Sequence, residues 1–272
     1  MRRSFVTDPL PAELAEAFAA VRARLAPIGD RVQFFHKTAS TNDIALALAA
    51  DADANGTVVI ADEQTSGRGR LGRVWHSPPG SGLYVSIVLR RSRAPAIVDR
   101  ATGLLTLAAG VALSEAVEEV TSLRPDIKWP NDLLIGRRKL AGILAESASS
   151  DLVHIVLGYG INVGATKLPS DVETRATSLE SELGRPVDRA VLCAATVAAI
   201  SQRYGDLLGG RFDAILDAWR ARSPSSRGAR VTWRTPAGAE SGVTDGIDDR
   251  GALLVRVGAR IERIVGGEVT WP

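Results

Sequence analysis

The stretch Gln64-Thr65-Ser66-Gly67-Arg68-Gly69-Arg70-Leu71-Gly72-Arg73-Val74-Trp75 carries glycines in the spacing G-x-G-x-x-G, and the residues on its C-terminal side decide the fold. In a dinucleotide-binding βαβ unit that pattern opens a helix, whose N-terminus takes the phosphates. Here His76-Ser77-Pro78-Pro79-Gly80 comes next and leads into another strand candidate, Leu83 to Leu89, so a Rossmann fold is disfavoured. A Walker A loop fails as well, because Gly72 is followed by Arg73 and Val74 rather than by a Lys-Ser/Thr pair. The segment reads as a long glycine-rich loop between two buried strands, Thr57 to Ala61 and Leu83 to Leu89.

Working outward, Leu10 to Leu25 repeats apolar residues at helical spacing, Arg31 to His36 reads as a strand, and Ser40 or Thr41 can cap a helix over Asn42 to Ala50. Ile97 to Val120 is the longest expected helix. Four short strands come after it, Ile127 to Trp129, Leu133 to Ile135, Leu140 to Glu146 and Val153 to Ile161, which implies an antiparallel meander. Helices are expected over Ser178 to Leu183, Ala190 to Leu208 and Phe212 to Arg222. Ser223-Pro224-Ser225-Ser226-Arg227-Gly228 then breaks the pattern, and five short strands fill the remainder: Val231 to Arg234, Gly242 to Ile247, Leu253 to Val257, Arg260 to Val265 and Glu268 to Trp271. The fold class is therefore α+β: a mixed or antiparallel sheet with packed helices over 1–224, and a small β-barrel domain over 225–272.

The chain has 272 residues, 45% hydrophobic, with 33 basic against 31 acidic residues. A formal +2 does not mark a protein whose whole surface grips nucleic acid. The single cysteine, Cys193, excludes an intramolecular disulfide and suits a reducing, cytoplasmic setting. No export signal is visible after Met1, and the longest apolar run, Ala190 to Ile200, is interrupted and well short of a membrane span, so no membrane association is expected.

Near neutrality hides a cluster. Between Gln64 and Val98 stand arginines 68, 70, 73, 90, 91 and 93 with no acidic residue, so this stretch carries +6 and the remainder −4. Flexible backbone N–H groups beside Arg68, Arg70 and Arg73 make an anion cradle; the plain alternative is a solvated surface loop. A second constellation is Lys128-Trp129-Pro130-Asn131-Asp132 with Lys139-Leu140-Ala141-Gly142-Ile143-Leu144. Asn131-Asp132 by itself could be only a turn. Lysine is scarce, however: 29 of the 33 basic residues are arginine, and two of the four lysines fall in this one motif. A carboxylate beside a cationic cradle can hold Mg²⁺ together with nucleotide phosphates.

The combination is specific. Ser40-Thr41-Asn42, the Gln64 to Trp75 loop, the Lys128 to Asp132 motif with Lys139 to Leu144, and Gly158-Tyr159-Gly160-Ile161-Asn162 stand in the order found in biotin protein ligases, and the sequence resembles that family over most of its first 165 residues. The resemblance implies the biotin–lipoate ligase fold, similar to class II aminoacyl-tRNA synthetases, with a C-terminal Src-homology-3-like barrel. It implies a reaction in which biotin and ATP, with Mg²⁺, give biotinyl-5′-AMP and pyrophosphate, and a lysine of a biotin carboxyl carrier domain then takes the biotinyl group. By position, Ser40, Thr41, Asn42, Gln64, Gly67, Arg68, Gly142 and Lys139 would surround biotin. Arg68, Arg70, Arg73, Trp75, Asn131, Lys139 and Asn162 would line the nucleotide site. Arg70, Lys139 and Asp132 would be catalytic, with Asp132 also the metal ligand.

Only 39 residues with one expected helix precede Ser40, where longer members of the family carry a DNA-binding domain, so a DNA-binding role is not expected; a monomer or weak homodimer is. His36, His76 and His154 lack metal-ligand spacing, and Cys193 lies among small apolar residues as a core position rather than a nucleophile. Trp219, Trp233 and Trp271 suit core or barrel packing. Two other classes remain: a lipoate-type ligase using the same adenylation logic, and a non-enzymatic binder or repressor.

Overall fold

The computed structural model describes residues 5–51, 53–90, 95–147, 154–165, 170–236 and 238–271. Arg91 and Arg93 of the basic cluster lie outside them.

A seven-stranded mixed sheet organises the first part of the chain. Its strands are β1 (Arg31–Thr38), β2 (Thr57–Gln64), β3 (Gly82–Arg90), β4 (Asp126–Lys128), β5 (Asp132–Ile135), β6 (Arg138–Ser147) and β7 (His154–Asn162), in the order β1-β2-β3-β7-β6-β5-β4. Only β1 and β2 run parallel; all other neighbours are antiparallel, and β4 to β7 form the expected meander. The central strands β3 and β7 are buried along almost their whole length, which is why they read as continuous apolar runs.

Because strand side chains alternate, each face has its own partner. Val58, Ile60, Val85, Ile87, Leu157 and Ile161 point into the main core. Helices α1 (Ala12–Ala20), α3 (Pro95–Thr121), α6 (Arg189–Leu208) and α7 (Phe212–Arg220) cover that face. On the opposite face α2 (Thr41–Leu48) packs Ile44 and Ala45 against Phe35, Val59, Val88 and Val156. This short helix covers one end of the sheet only. Gly142, Leu144, Gly158, Gly160 and Asn162, on the same face, line a cleft beside it.

The window Arg100–Thr121 of α3 is long and apolar enough to cross a membrane by length and composition, a feature that a search for uninterrupted apolar runs misses; 67% of it is buried within the fold, where it forms the central helix of the core. The first helix ends at Ala20 rather than at Leu25, passing into a tight turn over Arg22–Arg24. Neither Ser40 nor Thr41 caps α2 with its side chain, since the Thr41 hydroxyl is engaged by Gln64. Two short helices, α4 (Ser170–Glu173) and α5 (Leu179–Leu183), precede α6; the sequence pattern does not mark α4, whereas α5 falls where a helix is expected and starts on a Ser178 side-chain cap.

The last five strands, β8 (Arg227–Thr235), β9 (Gly238–Ile247), β10 (Leu253–Val257), β11 (Arg260–Ile264) and β12 (Val269–Thr270), form an antiparallel sheet in the order β11-β10-β9-β8-β12. Its buried face, with Val231, Trp233, Leu253, Val255 and Ile264, joins the main core cluster. The indole N–H of Trp129 donates to Gly251 O (3.0 Å), tying the Lys128 to Asp132 motif to this sheet.

Candidate active site

The cleft beside α2 measures about 930 Å³ and its two ends differ in chemistry. At the α2 end Thr41, Asn42, Gln64, Ser77 and Ser86 form a neutral, mutually hydrogen-bonded set. The Thr41 N–H and hydroxyl both donate to Gln64 Oε1 (2.9 and 3.1 Å), and Gln64 Nε2 donates to Ser77 Oγ (3.0 Å). The Ser86 hydroxyl lies between Thr41 Oγ1 and Asn42 Oδ1 and shares its proton between them. Asn42 Nδ2 donates to Glu146 Oε2 (2.6 Å). Glycine is required beneath Asn42, because a Cβ at Gly158 would sit 2.0 Å from Asn42 Oδ1. Ser40 is buried at the start of α2 and lines the same end.

The loop over residues 64–77 folds back on itself above the cleft. Trp75 N–H donates to Gly67 O (2.9 Å) and Gly69 N–H to Arg73 O (2.7 Å), while Leu71 (φ 58°) and Gly72 (φ 73°) both take left-handed backbone at the tip. Gly67 has no room for a side chain, since its Cβ would lie 2.5 Å from Trp75 O. Arg68 directs its guanidinium to Asp43 Oδ1 (2.6 Å) and Glu146 Oε2 (3.4 Å). Partly exposed pairs of this kind contribute about 0–1 kcal/mol, so their effect here is positional: they staple the loop to α2 and β6.

The other end is charged. Lys139 Nζ lies 2.7 Å from Asp132 Oδ1, a charge contact whose angle falls outside hydrogen-bond geometry. Arg70 donates to Asn131 Oδ1 (3.1 Å) and to Gly267 O (3.4 Å), and Asn131 Nδ2 donates to Ile143 O (2.8 Å). Lys128 sits against the Trp271 ring, 4.8 Å from its centroid. Burial lowers the pKa of Lys128, opposed by the nearby Asp132 carboxylate and reinforced by Lys139 and Arg73. Burial likewise lowers that of Arg70, with Asp132 opposing and Arg73 adding to the shift. Three cations thus face one carboxylate in a partly desolvated space, an arrangement that an incoming anion relieves. Arg73 is paired with Glu268 at the rim.

The Trp75 indole lies on a glycine floor: a Cβ at Gly160 would meet its Nε1 at 2.4 Å, and one at Gly142 its ring at 3.1 Å. That Nε1 is buried without a hydrogen-bond partner, and Lys139 Nζ stands 5.5 Å from the ring centroid. Asn162 Nδ2 donates to Thr177 O (3.0 Å), holding the segment after α4 against the start of β6.

Among the described residues no group of three or more His, Cys, Asp or Glu could hold a metal ion by itself. Mg²⁺ needs only one or two protein carboxylates when phosphates complete its shell. Asp132 Oδ1, buried and held by the Lys139 charge contact but by no hydrogen bond of good geometry, fits that lesser requirement.

Comparison with known proteins agrees with this geometry. Residues 34–162 match the biotin/lipoate A/B protein ligase family. The biotin–[acetyl-CoA-carboxylase] ligase of Mycobacterium tuberculosis is 37% identical over 238 residues, covering 86% of each chain. The chain belongs to the biotin protein ligase family. A bifunctional ligase/repressor, BirA of Bacillus subtilis, is 35% identical over 98% of this chain and 82% of its own. Among solved structures, the Aquifex aeolicus biotin protein ligase in complex with biotin and ATP superposes with a TM-score of 0.76 at 29% identity, covering 89% of this chain and 98% of that one.

Every residue singled out from the four ligase motifs lies in or beside this one cleft: Ser40, Thr41, Asn42, Gln64, Arg68, Arg70, Arg73, Trp75, Asn131, Asp132, Lys139, Gly142 and Asn162 line it, and Gly67 underlies the Gln64–Ser77 contact. Sequence reasoning missed Glu146, Asp43, Ser86, Ser77 and Glu268. Glu146 could have been found by parity, because it shares the strand face of Gly142 and Leu144, and Asp43 and Ser77 by position, because they directly follow Asn42 and stand two residues past Trp75; Ser86 and Glu268 come from segments with no motif. Trp271, expected in packing alone, also lines the cleft. Cys193 is fully buried and burial pushes its thiol up to about 12, as befits a core residue.

Proposed function

We propose that this biotin ligase activates biotin with ATP to biotinyl-5′-AMP, releasing pyrophosphate, and then passes the biotinyl group to a lysine of a biotin carboxyl carrier domain. The observation that carries this reading is the division of one cleft into a neutral hydrogen-bonding end at Thr41 and Gln64 and a cationic end at Lys128, Lys139 and Arg70, both roofed by the 64–77 loop. Biotin's ureido group is uncharged and calls for neutral donors and acceptors; its carboxylate calls for cations.

In the first step a carboxylate oxygen attacks the α-phosphorus of ATP, and the bond to the β-phosphate oxygen breaks as pyrophosphate leaves. Two anions must approach each other. Lys139, a compact point charge, and Arg70 lower that barrier by standing where charge collects, without reorganising during the reaction. Asp132 would hold the Mg²⁺ that accompanies the nucleotide, whose chemistry is to neutralise phosphate charge. Asn131 keeps Arg70 oriented, Trp75 and Asn162 bound the nucleotide end, and Arg73 is free to meet the outer phosphates once it leaves Glu268. Closure of the loop keeps water from the anhydride.

The same reading takes the larger sheet as class II aminoacyl-tRNA synthetase-like, strands β8 to β12 as a Src-homology-3-like module beginning near residue 225, and the protein as cytoplasmic, monomeric or weakly dimeric, without nucleic-acid or membrane partners. The test is intact mass of a biotin carboxyl carrier domain incubated with the protein, biotin and ATP. A gain of one biotinyl group, lost when the carrier's acceptor lysine is replaced by arginine, is expected. An unchanged mass overturns the proposal.

A further inference from the structure

A second, smaller cavity of about 160 Å³ lies behind Arg70 and Asn131, bounded by α3, β6 and the C-terminal sheet. It shares Arg70, Trp129, Pro130, Asn131, Ile143 and Leu144 with the main cleft, and the hydrogen-bonded Arg70–Asn131 pair (3.1 Å) lines both spaces. Its mouth is formed by exposed Gly103, Ala145 and Val265, and its floor by buried Leu107, Trp129 and Ile143. Among its described lining residues there is no carboxylate, and its one charged group is the Arg70 guanidinium. It is too small for a nucleotide, and apart from Arg70, Thr106 and Asn131 its lining residues are apolar, which suits an unbranched alkyl chain.

We infer that this cavity is the entry channel for the acceptor amine, a primary alkylamine presented as a lysine side chain; the inference rests on the ligase reading. Its basis is chemical. The acyl carbon of the adenylate must be attacked by a neutral amine, and lysine is an ammonium in water. A carboxylate-free channel ending at a guanidinium offers an ammonium no counter-charge, so it favours the neutral form. In the step itself the amine nitrogen bonds to the acyl carbon and the acyl–oxygen bond to phosphate breaks. AMP leaves with that electron pair, and a phosphate oxygen of the departing AMP takes the amine proton.

Ala145→Trp and Val265→Trp obstruct the mouth from two different elements at exposed positions, so the fold tolerates them. Three rates are read: biotin-dependent ATP–pyrophosphate exchange, single-turnover transfer from preformed adenylate to a biotin carboxyl carrier domain, and aminolysis of that adenylate by n-butylamine. The expected result is exchange within about twofold of the parent with transfer and n-butylamine aminolysis both slowed about tenfold or more. Unchanged transfer and aminolysis overturn the channel. Slowed transfer with unchanged aminolysis overturns it too, because the surface then serves only to dock the carrier. Absence of exchange in the parent protein overturns the ligase reading, and the channel with it.

Discussion

Lys139 is one of four lysines in a chain with 29 arginines, and it is the one whose ammonium touches Asp132 while facing the Trp75 ring. A guanidinium fork is wider and cannot take the same point between a carboxylate and a phosphate. Lys139→Ala is expected to lower biotin-dependent adenylate formation about 10²- to 10³-fold, with Lys139→Arg recovering little of it and the thermal midpoint of both near the parent's. Glu146 acts differently, through Asn42 and Arg68. Glu146→Ala should raise the biotin KM about tenfold while kcat stays within about threefold, and Glu146→Gln, which still accepts from Asn42, should fall between. Equal losses in kcat and kcat/KM for Glu146→Ala would contradict a positioning role. The motif residues are legible in the sequence because each is chemically unusual where it stands: a lysine among arginines, or glycines in a row. Glu146 carries a weaker signal: parity puts it on the cleft face, but an acid at the end of a strand looks like any solvated residue until Asn42 arrives from α2.

At the level of elements, the 64–77 loop owes its shape to glycine and to clamps at both ends. Gly67 is packed without room for a Cβ, whereas the tip carries Leu71, 67% exposed and left-handed, beside Gly72. Such backbone persists in a residue other than glycine only where neighbours hold it, and here the holders are Arg68, Arg70 and Arg73 reaching Asp43, Asn131 and Glu268. On the proposed reading a bound adenylate would add contacts to the same arginines, so limited proteolysis between Gly67 and Arg73 should slow in the presence of biotinyl-5′-AMP; cleavage at the ligand-free rate would show that the loop does not close on the ligand. The strands and long helices of the sheet are readable from apolar patterning, to within a few residues at their ends. How α2 begins is not. Ser40 and Thr41 look like caps, yet the Thr41 hydroxyl finds a better partner in Gln64, a residue 23 positions away.

For the molecule as a whole, the two sheets share one apolar core and meet again at the cleft, where Gly267, Glu268 and Trp271 face the loop and Lys128. Sequence patterning separates the C-terminal strands from the rest but does not reveal this shared core, because alternation reports that a face is buried and not what buries it. One acid-sensitive joint lies in that sheet. Burial raises the Asp248 pKa, but the Arg263 contact and the N–H groups of Ala252 and Arg250 outweigh it, leaving the carboxyl below its ordinary 3.8. A depressed carboxylate stabilises the fold above its unfolded value and ceases to do so as pH falls through its folded value. Asp248→Asn should therefore melt below the parent at neutral pH, with the difference shrinking as pH drops below about 4; a difference independent of pH would assign the effect to packing. The central claim, that the cleft joins biotin to AMP, is tested most directly by exchange of labelled pyrophosphate into ATP with biotin, lipoate or no acid added. The account predicts exchange with biotin alone. Exchange driven by lipoate, or none with any acid, would contradict it.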